Sequence, residues 1–168
     1  GTTGMKKGVA LSHRAVLNFV RVYADALDIT PADRIANWPP LYHDFGLFGG
    51  LVFPVCLGIP TILMSPQKWV RSPGRFLQAI SRHRGTICWM PSFGLNHSVR
   101  AVRPSEMEGL DLSCLRYLPS AAEPVRFDCQ QAFLERFAGC GLCEDVMTTG
   151  YGMAENTLAA TVSPPRPT

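Results

Sequence analysis

Two rhythms of apolar and polar positions run along the chain. Val16, Phe19, Val20, Tyr23 and Leu27 recur at helical spacing, and Ser12 stands where an N-cap belongs. "RIANW" then reads as a short strand closed by Pro39-Pro40. The uncharged run from Leu47 to Met64 is long enough for a membrane span. Its three glycines and two prolines argue instead for a buried helix, a tight turn at Gly58 and a strand "TILM". Ser72-Pro73 predicts the start of a helix with Phe76, Leu77 and Ile80 inward. "TICWM" and "LRYLPS" predict strands on either side of a helix over "FGLNHSVRAV". A last helix, "FDCQQAFLERFAG", has Gly139 as its expected stop and leads into a strand that turns at the glycines of "DVMTTGYG".

Strands alternating with helices predict an α/β domain, a mainly parallel sheet with helices on both faces. Ligands of such sheets bind beyond the carboxyl ends of the strands. Three polar clusters fall where strands run out: "PPLYHD", "PSAAEP" and "TTGYGMAEN". Their convergence on one crevice points to a site more strongly than any one of them.

Composition narrows the classes. The 168 residues are 46% hydrophobic and 17% charged, the balance of a folded domain with a sizeable core. A net charge of +3 with scattered Lys and Arg excludes a nucleic-acid footprint. Of the six cysteines only Cys140 and Cys143 have Cys-x-x-Cys spacing, and no second pair completes a zinc site. They read as reduced thiols of a cytoplasmic protein.

The opening "GTTGMKKG" has the small residues, hydroxyls and lysines of an anion-holding loop. It is not a Walker loop, because Lys7 is followed by Gly8 rather than Ser or Thr. Glu123 and Glu155 are the carboxylates of the later clusters; near phosphates they need a cation such as Mg²⁺ between, or they cap loops and pair with arginine, Arg126 for Glu123. Tyr151, between two glycines, can offer a ring face to a planar base or simply pack. His43 is a catalytic candidate or a hydrogen-bonded loop residue.

"GTTGMKKG", "PLYHDFGLFGG", "SAAEPVR" and "YGMAENTLA", in this order, resemble core motifs of the acyl-adenylate-forming superfamily, which embraces acyl-CoA synthetases and peptide-synthetase adenylation domains. Within it they are most similar to the fatty acyl-AMP ligases. The resemblance implies that residues 1–168 are part of the large N-terminal AMP-binding domain, with an upstream region and a small C-terminal domain elsewhere in a longer enzyme. It implies ATP and Mg²⁺ as cofactors and a fatty or related acid as substrate. The product is an acyl-adenylate, and the acceptor a carrier-protein phosphopantetheine or coenzyme A. Thr2, Thr3, Gly4 and Lys7 would line the phosphates; Ala122, Glu123 and Pro124 would border the adenine; Tyr151, followed by Gly152, would stack on it. Glu155 would hold Mg²⁺, and His43 would sit by the reacting carboxylate. Trp89, Pro91 and Phe93 are candidates for the acyl-pocket wall.

Three departures from the pattern stand out. Lys6 replaces a proline, Ala121 a glycine expected to let adenine approach, and Ala154 a threonine. Two rival readings remain: a non-catalytic nucleotide- or acyl-binding module of the same fold, and an amino-acid adenylation domain, which usually has Phe-Asp-x-Ser where "YHDFG" stands.

Overall fold

The computed structural model describes residues 8–163. Helix α1 (His13–Ala26) begins where predicted, the Ser12 hydroxyl accepting the Ala15 N–H at 3.1 Å. It leads to strand β1 (Ile35–Asn37). The uncharged run that follows divides into a π-helical segment (Phe45–Val52), helix α2 (Phe53–Leu57) and strand β2 (Thr61–Leu63), with Gly58 left-handed at the turn. Among the described residues no helix is long and apolar enough to cross a membrane.

Helix α3 (Pro66–Arg71), absent from the sequence reading, is capped by Ser65 and buries Trp69. Helix α4 (Pro73–His83) follows directly; Ser72 stands at its N-cap without a capping side-chain hydrogen bond. Then come β3 (Ile87–Cys88), α5 (Ser92–Ala101), α6 (Pro104–Met107) and β4 (Leu118–Ser120). Helix α7 (Phe127–Phe137) runs past Gly139 through a 3-10 turn, and Gly141, at φ 78°, ends it. Strand β5 (Met147–Gly152) pairs with a final strand β6 (Ala159–Val162) that the sequence did not announce.

The strands lie in the order β2-β1-β3-β4-β5-β6. The first five are parallel and β6 is antiparallel. The Cys88 and Met90 N–H groups donate to Tyr117 and Pro119, each at 3.1 Å, and so join the two halves. Alternation across the sheet sorts neighbours into two cores. Ala36, Cys88, Met90 and Leu118 face the core made with α4, α5 and α7. Ile35, Ile87, Trp89 and Tyr117 face the core made with α1 and α2. Helices therefore cover both faces, as expected of a parallel sheet.

The amino ends of the strands are fastened by a buried ion pair. Asp33, 2% exposed, receives the Arg116 Nε and Nη2 hydrogens at 2.7 Å each. The Thr86 hydroxyl (2.7 Å) and the Thr30 N–H (2.8 Å) also donate to it. Arg116 in turn donates to the carbonyls of Leu27 and Asp28, tying the end of α1 to the sheet. This leaves the opposite, carboxyl edge for long loops.

Candidate active site

Chain reversal between β1 and β3 creates the switch point at which open α/β sheets hold ligands. A cavity of about 590 Å³ opens at this edge. The loop after β1 contributes His43 to it, the loop after β4 contributes Ala122, and β5 with its following turn contributes Tyr151, Gly152 and Glu155. All three polar clusters of the sequence meet here.

His43 is oriented by its neighbour. Its Nδ1 lies 2.6 Å from Asp44 Oδ1. Two lone pairs at that separation would repel, so the proton sits on Nδ1 and Nε2 is left for the cavity. The Phe45 N–H, 3.1 Å from Nδ1, then belongs to Asp44 Oδ1 at 2.8 Å. The loop packs tightly against the π-helical segment. A Cβ on Gly46 would lie 2.3 Å from the Pro40 carbonyl oxygen, so only glycine fits.

Glu155 is exposed on the cavity wall, and no described residue pairs with or hydrogen-bonds to it. An unengaged carboxylate fits a hard cation whose other oxygens come from phosphate. Among the described residues there is no cluster of three His, Cys, Asp or Glu able to hold a metal without such help. Tyr151, 61% exposed, has a ring open to a planar ligand.

Glu123 lines the smaller neighbouring cavity, and its carboxylate already has a partner. Its Oε1 accepts the Phe93 N–H at 2.6 Å and caps the first turn of α5. Arg126, its anticipated partner, instead grips Asp128 at 2.7 Å. Ser92 completes the clip, donating to the Pro124 carbonyl and accepting the Arg126 N–H. Pro124 thus lines neither this cavity nor its neighbour, whereas Ala122 lines both. The left-handed residue of this loop is Ala122 (φ 72°), so the alanine at 121 meets no backbone demand for glycine.

The neighbouring cavity, about 230 Å³, is apolar, with Trp38, Pro91 and Phe93 on its walls. Trp38 stacks on Trp69 at 3.6 Å between ring centroids, and Phe93 stands edge-on to both. His43, Phe45 and Ala122 separate the two spaces. Of the three wall candidates, Trp89 lies on the large cavity and Pro91 and Phe93 on the small one. Thr2, Thr3, Gly4 and Lys7 lie outside the described residues.

Sequence reasoning missed the turn that shapes the far wall. Thr157 has φ 67° and ψ −57°, and the Leu158 N–H donates to the Asn156 carbonyl at 2.8 Å. This is a γ-turn of the rare positive-φ kind. It drives the Leu158 carbonyl against β5, where a Cβ on Gly152 would come within 1.7 Å of its oxygen.

A carboxylate, an open tyrosine ring and an oriented histidine thus meet at the switch point, where open α/β sheets hold ligands. The sequence goes further: residues 1–168 match the AMP-binding enzyme family, and the chain belongs to that family. It is 36% identical, over 94% of its length, to a medium-chain fatty acid–acyl-carrier-protein ligase of Moorena producens. It is equally similar, over 99% of its length, to the 4-hydroxyphenylalkanoate adenylyltransferase of Mycobacterium tuberculosis. The chain spans 27% and 28% of those two relatives. Among solved structures, the fatty acid AMP ligase of Legionella pneumophila superposes with a TM-score of 0.94 at 33% identity, over 98% of this chain and 29% of that one. A fatty acyl-adenylate ligase of the same organism, in complex with acyl adenylate and pyrophosphate, gives 0.92 at 33% identity, over 95% and 28%.

Proposed function

We propose that the protein containing this chain activates a fatty or related carboxylic acid with ATP, and that residues 1–168 are part of its AMP-binding domain. The acid's carboxylate oxygen attacks the α-phosphorus of ATP. The bond to the bridging oxygen of the β-phosphate breaks, giving acyl-adenylate and pyrophosphate. The observation that carries this reading is the meeting of His43, Tyr151 and Glu155 on one cavity. The likeness to a structure in complex with acyl adenylate and pyrophosphate supports it.

In this reading Tyr151 stacks on the adenine, with Gly152 and Ala122 giving the base close approach. His43, steadied by Asp44, orients the acid's carboxylate at the boundary of the two cavities. Thr2, Thr3, Gly4 and Lys7 hold the phosphates. Glu155 holds Mg²⁺, which supplies neutralisation of phosphate charge when bound. Glu123 acts at one remove, fixing the loop that carries Ala122. These residues contribute positioning and charge compensation.

A carrier-protein thiol is the proposed acceptor, on the strength of the acyl-carrier-protein ligase among the relatives. The six cysteines, all free, support a reducing, cytoplasmic setting. The test is to supply the whole protein with ATP, Mg²⁺ and a fatty acid, follow pyrophosphate release, and identify the adenylate by mass. A protein that binds ATP and acid but releases no pyrophosphate is a binding module, and this reading falls. Faster thioester formation on coenzyme A than on any carrier would reassign the acceptor alone.

A further inference from the structure

The inner face of α1 carries one polar tip. Val20, Ala24 and Leu27 are apolar; Tyr23, 5% exposed, is not. Its ring is locked, with Phe19 stacked at 5.0 Å and Phe53 edge-on at 5.3 Å. The hydroxyl oxygen accepts the Trp89 Nε1–H at 3.1 Å. Among the described residues nothing accepts the hydroxyl's own proton. Burial above all, eased by the Trp89 hydrogen bond and reinforced by Tyr117, raises the phenol's pKa, so this proton stays in place at working pH.

Both Tyr23 and Trp89 line the large cavity, beside Phe45, Leu158 and Val162. A ligand reaching this part of the wall meets apolar side chains and one phenol whose proton has no acceptor among the described residues. A plain alkyl tail would leave that buried donor unpaired, whereas a tail carrying an oxygen would pair it. A phenylalanine would fill the same space but would leave the buried Trp89 Nε1–H without its acceptor. The Trp89 bond explains the oxygen as an acceptor and leaves the hydroxyl's proton for what the cavity receives.

Building on the adenylation reading, we propose that Tyr23 is a specificity-determining residue that selects acids bearing a hydroxyl, ether or carbonyl oxygen along the tail. The oxygen accepts the Tyr23 proton while Trp89 holds the phenol in place. Sites built to hydrogen-bond a substrate group discriminate against analogues that lack it more sharply than apolar pockets discriminate by size.

The experiment uses the whole protein, a medium-chain alkanoic acid and the positional isomers of its hydroxy and keto derivatives. Pyrophosphate release gives kcat/KM for each, and calorimetry without ATP gives the binding of each. At least one oxygenated isomer should exceed the alkanoic acid about tenfold in the wild type, and Tyr23→Phe should collapse that ratio towards one. A ratio unmoved by Tyr23→Phe overturns the proposal, because a merely structural role would change both acids alike. If Tyr23→Phe does not fold, the wild type decides: no isomer preferred over the alkanoic acid overturns the proposal equally. If the wild type releases no pyrophosphate from any acid, the adenylation reading fails by itself, and the calorimetric ratio still decides the role of Tyr23.

Discussion

The carboxylate of Glu123 accepts the backbone N–H of Phe93 at 2.6 Å, fastening the loop after β4 to the first turn of α5. This one bond joins the two cavities' shared wall to a rigid element, because Ala122 precedes Glu123 and Phe93 lines the smaller space. Glu123→Ala should therefore cost about 1 kcal/mol, as loss of a helix cap does. Urea unfolding should show a lower midpoint at unchanged slope, and ATP affinity should fall as the Ala122 loop loosens. An unchanged midpoint would mean the cap is dispensable.

Glu155→Gln should abolish Mg²⁺-dependent pyrophosphate release in the whole protein while leaving its circular dichroism and melting temperature unaltered. Glu155 is exposed and has no partner among the described residues, so nothing structural is lost. A neutral amide is a poor ligand for a hard cation. Release at the wild-type rate would remove Glu155 from the reaction.

Two glycines two residues apart in β5 should respond oppositely to alanine. At Gly150 the new Cβ would meet its nearest atom, the Thr161 carbonyl oxygen, at an ordinary 3.5 Å, and the change should be nearly neutral. At Gly152 it would meet the Leu158 oxygen at 1.7 Å. Gly152→Ala should cost roughly 3 kcal/mol or more, since backbone rather than a side chain must move. Comparable melting temperatures for the two variants would contradict the γ-turn at Thr157.

Asp33→Asn should destabilise the fold by about 3 kcal/mol, the lower end for a broken buried pair because Arg116 is partly exposed. It should alter activity only through the folded fraction. Burial tends to raise the Asp33 carboxyl, but hydrogen bonds from Arg116, Thr30 and Thr86 outweigh it and hold it below its ordinary 3.8. A depressed carboxyl stabilises the fold fully above its unfolded value and ceases to do so as pH falls through the folded one. Wild-type stability should thus drop below about pH 4, and the Asp33→Asn variant should show a shallower drop. Parallel acid-unfolding curves would count against the pair.

Much of the architecture was legible because each long element writes its own period. The face of α1 and the apolar strands around Ile35 and Ile87 depend on local pattern and burial, which sequence records directly. Helix α3 escaped because its six residues bury only Trp69, too few for a period to show. Strand β6 is four residues with none fully buried, and its pairing with β5 is tertiary. Gly139 and Gly141 both lie in "AGCGL", and only the backbone distinguishes which of them turns left-handed.

The candidate site was legible as a set of clusters and not as a set of contacts. His43, Tyr151 and Glu155 stand on one cavity, as strand ends of a parallel sheet must. The bond from Phe93 to Glu123 spans thirty positions, and no local rule distinguishes it from a pair with Arg126. Tyr23 was hidden in plain view, one polar tip on a helix face whose other members are core. A phenol there differs from phenylalanine by a single atom, which only the surroundings can interpret.

The fastening of Asp33 to Arg116, Thr86 and Thr30 has a consequence for how this protein can be altered. Four segments are locked together at the end of the sheet opposite the candidate site. Loops at the other end carry little of that burden. The turn bearing Tyr42 and His43 should therefore be exchangeable for that of a relative with the scaffold intact, and the stretch from Ala121 to Pro124 at no more than the loss of the Glu123 cap on α5. Grafting should succeed at one rim and fail at the other.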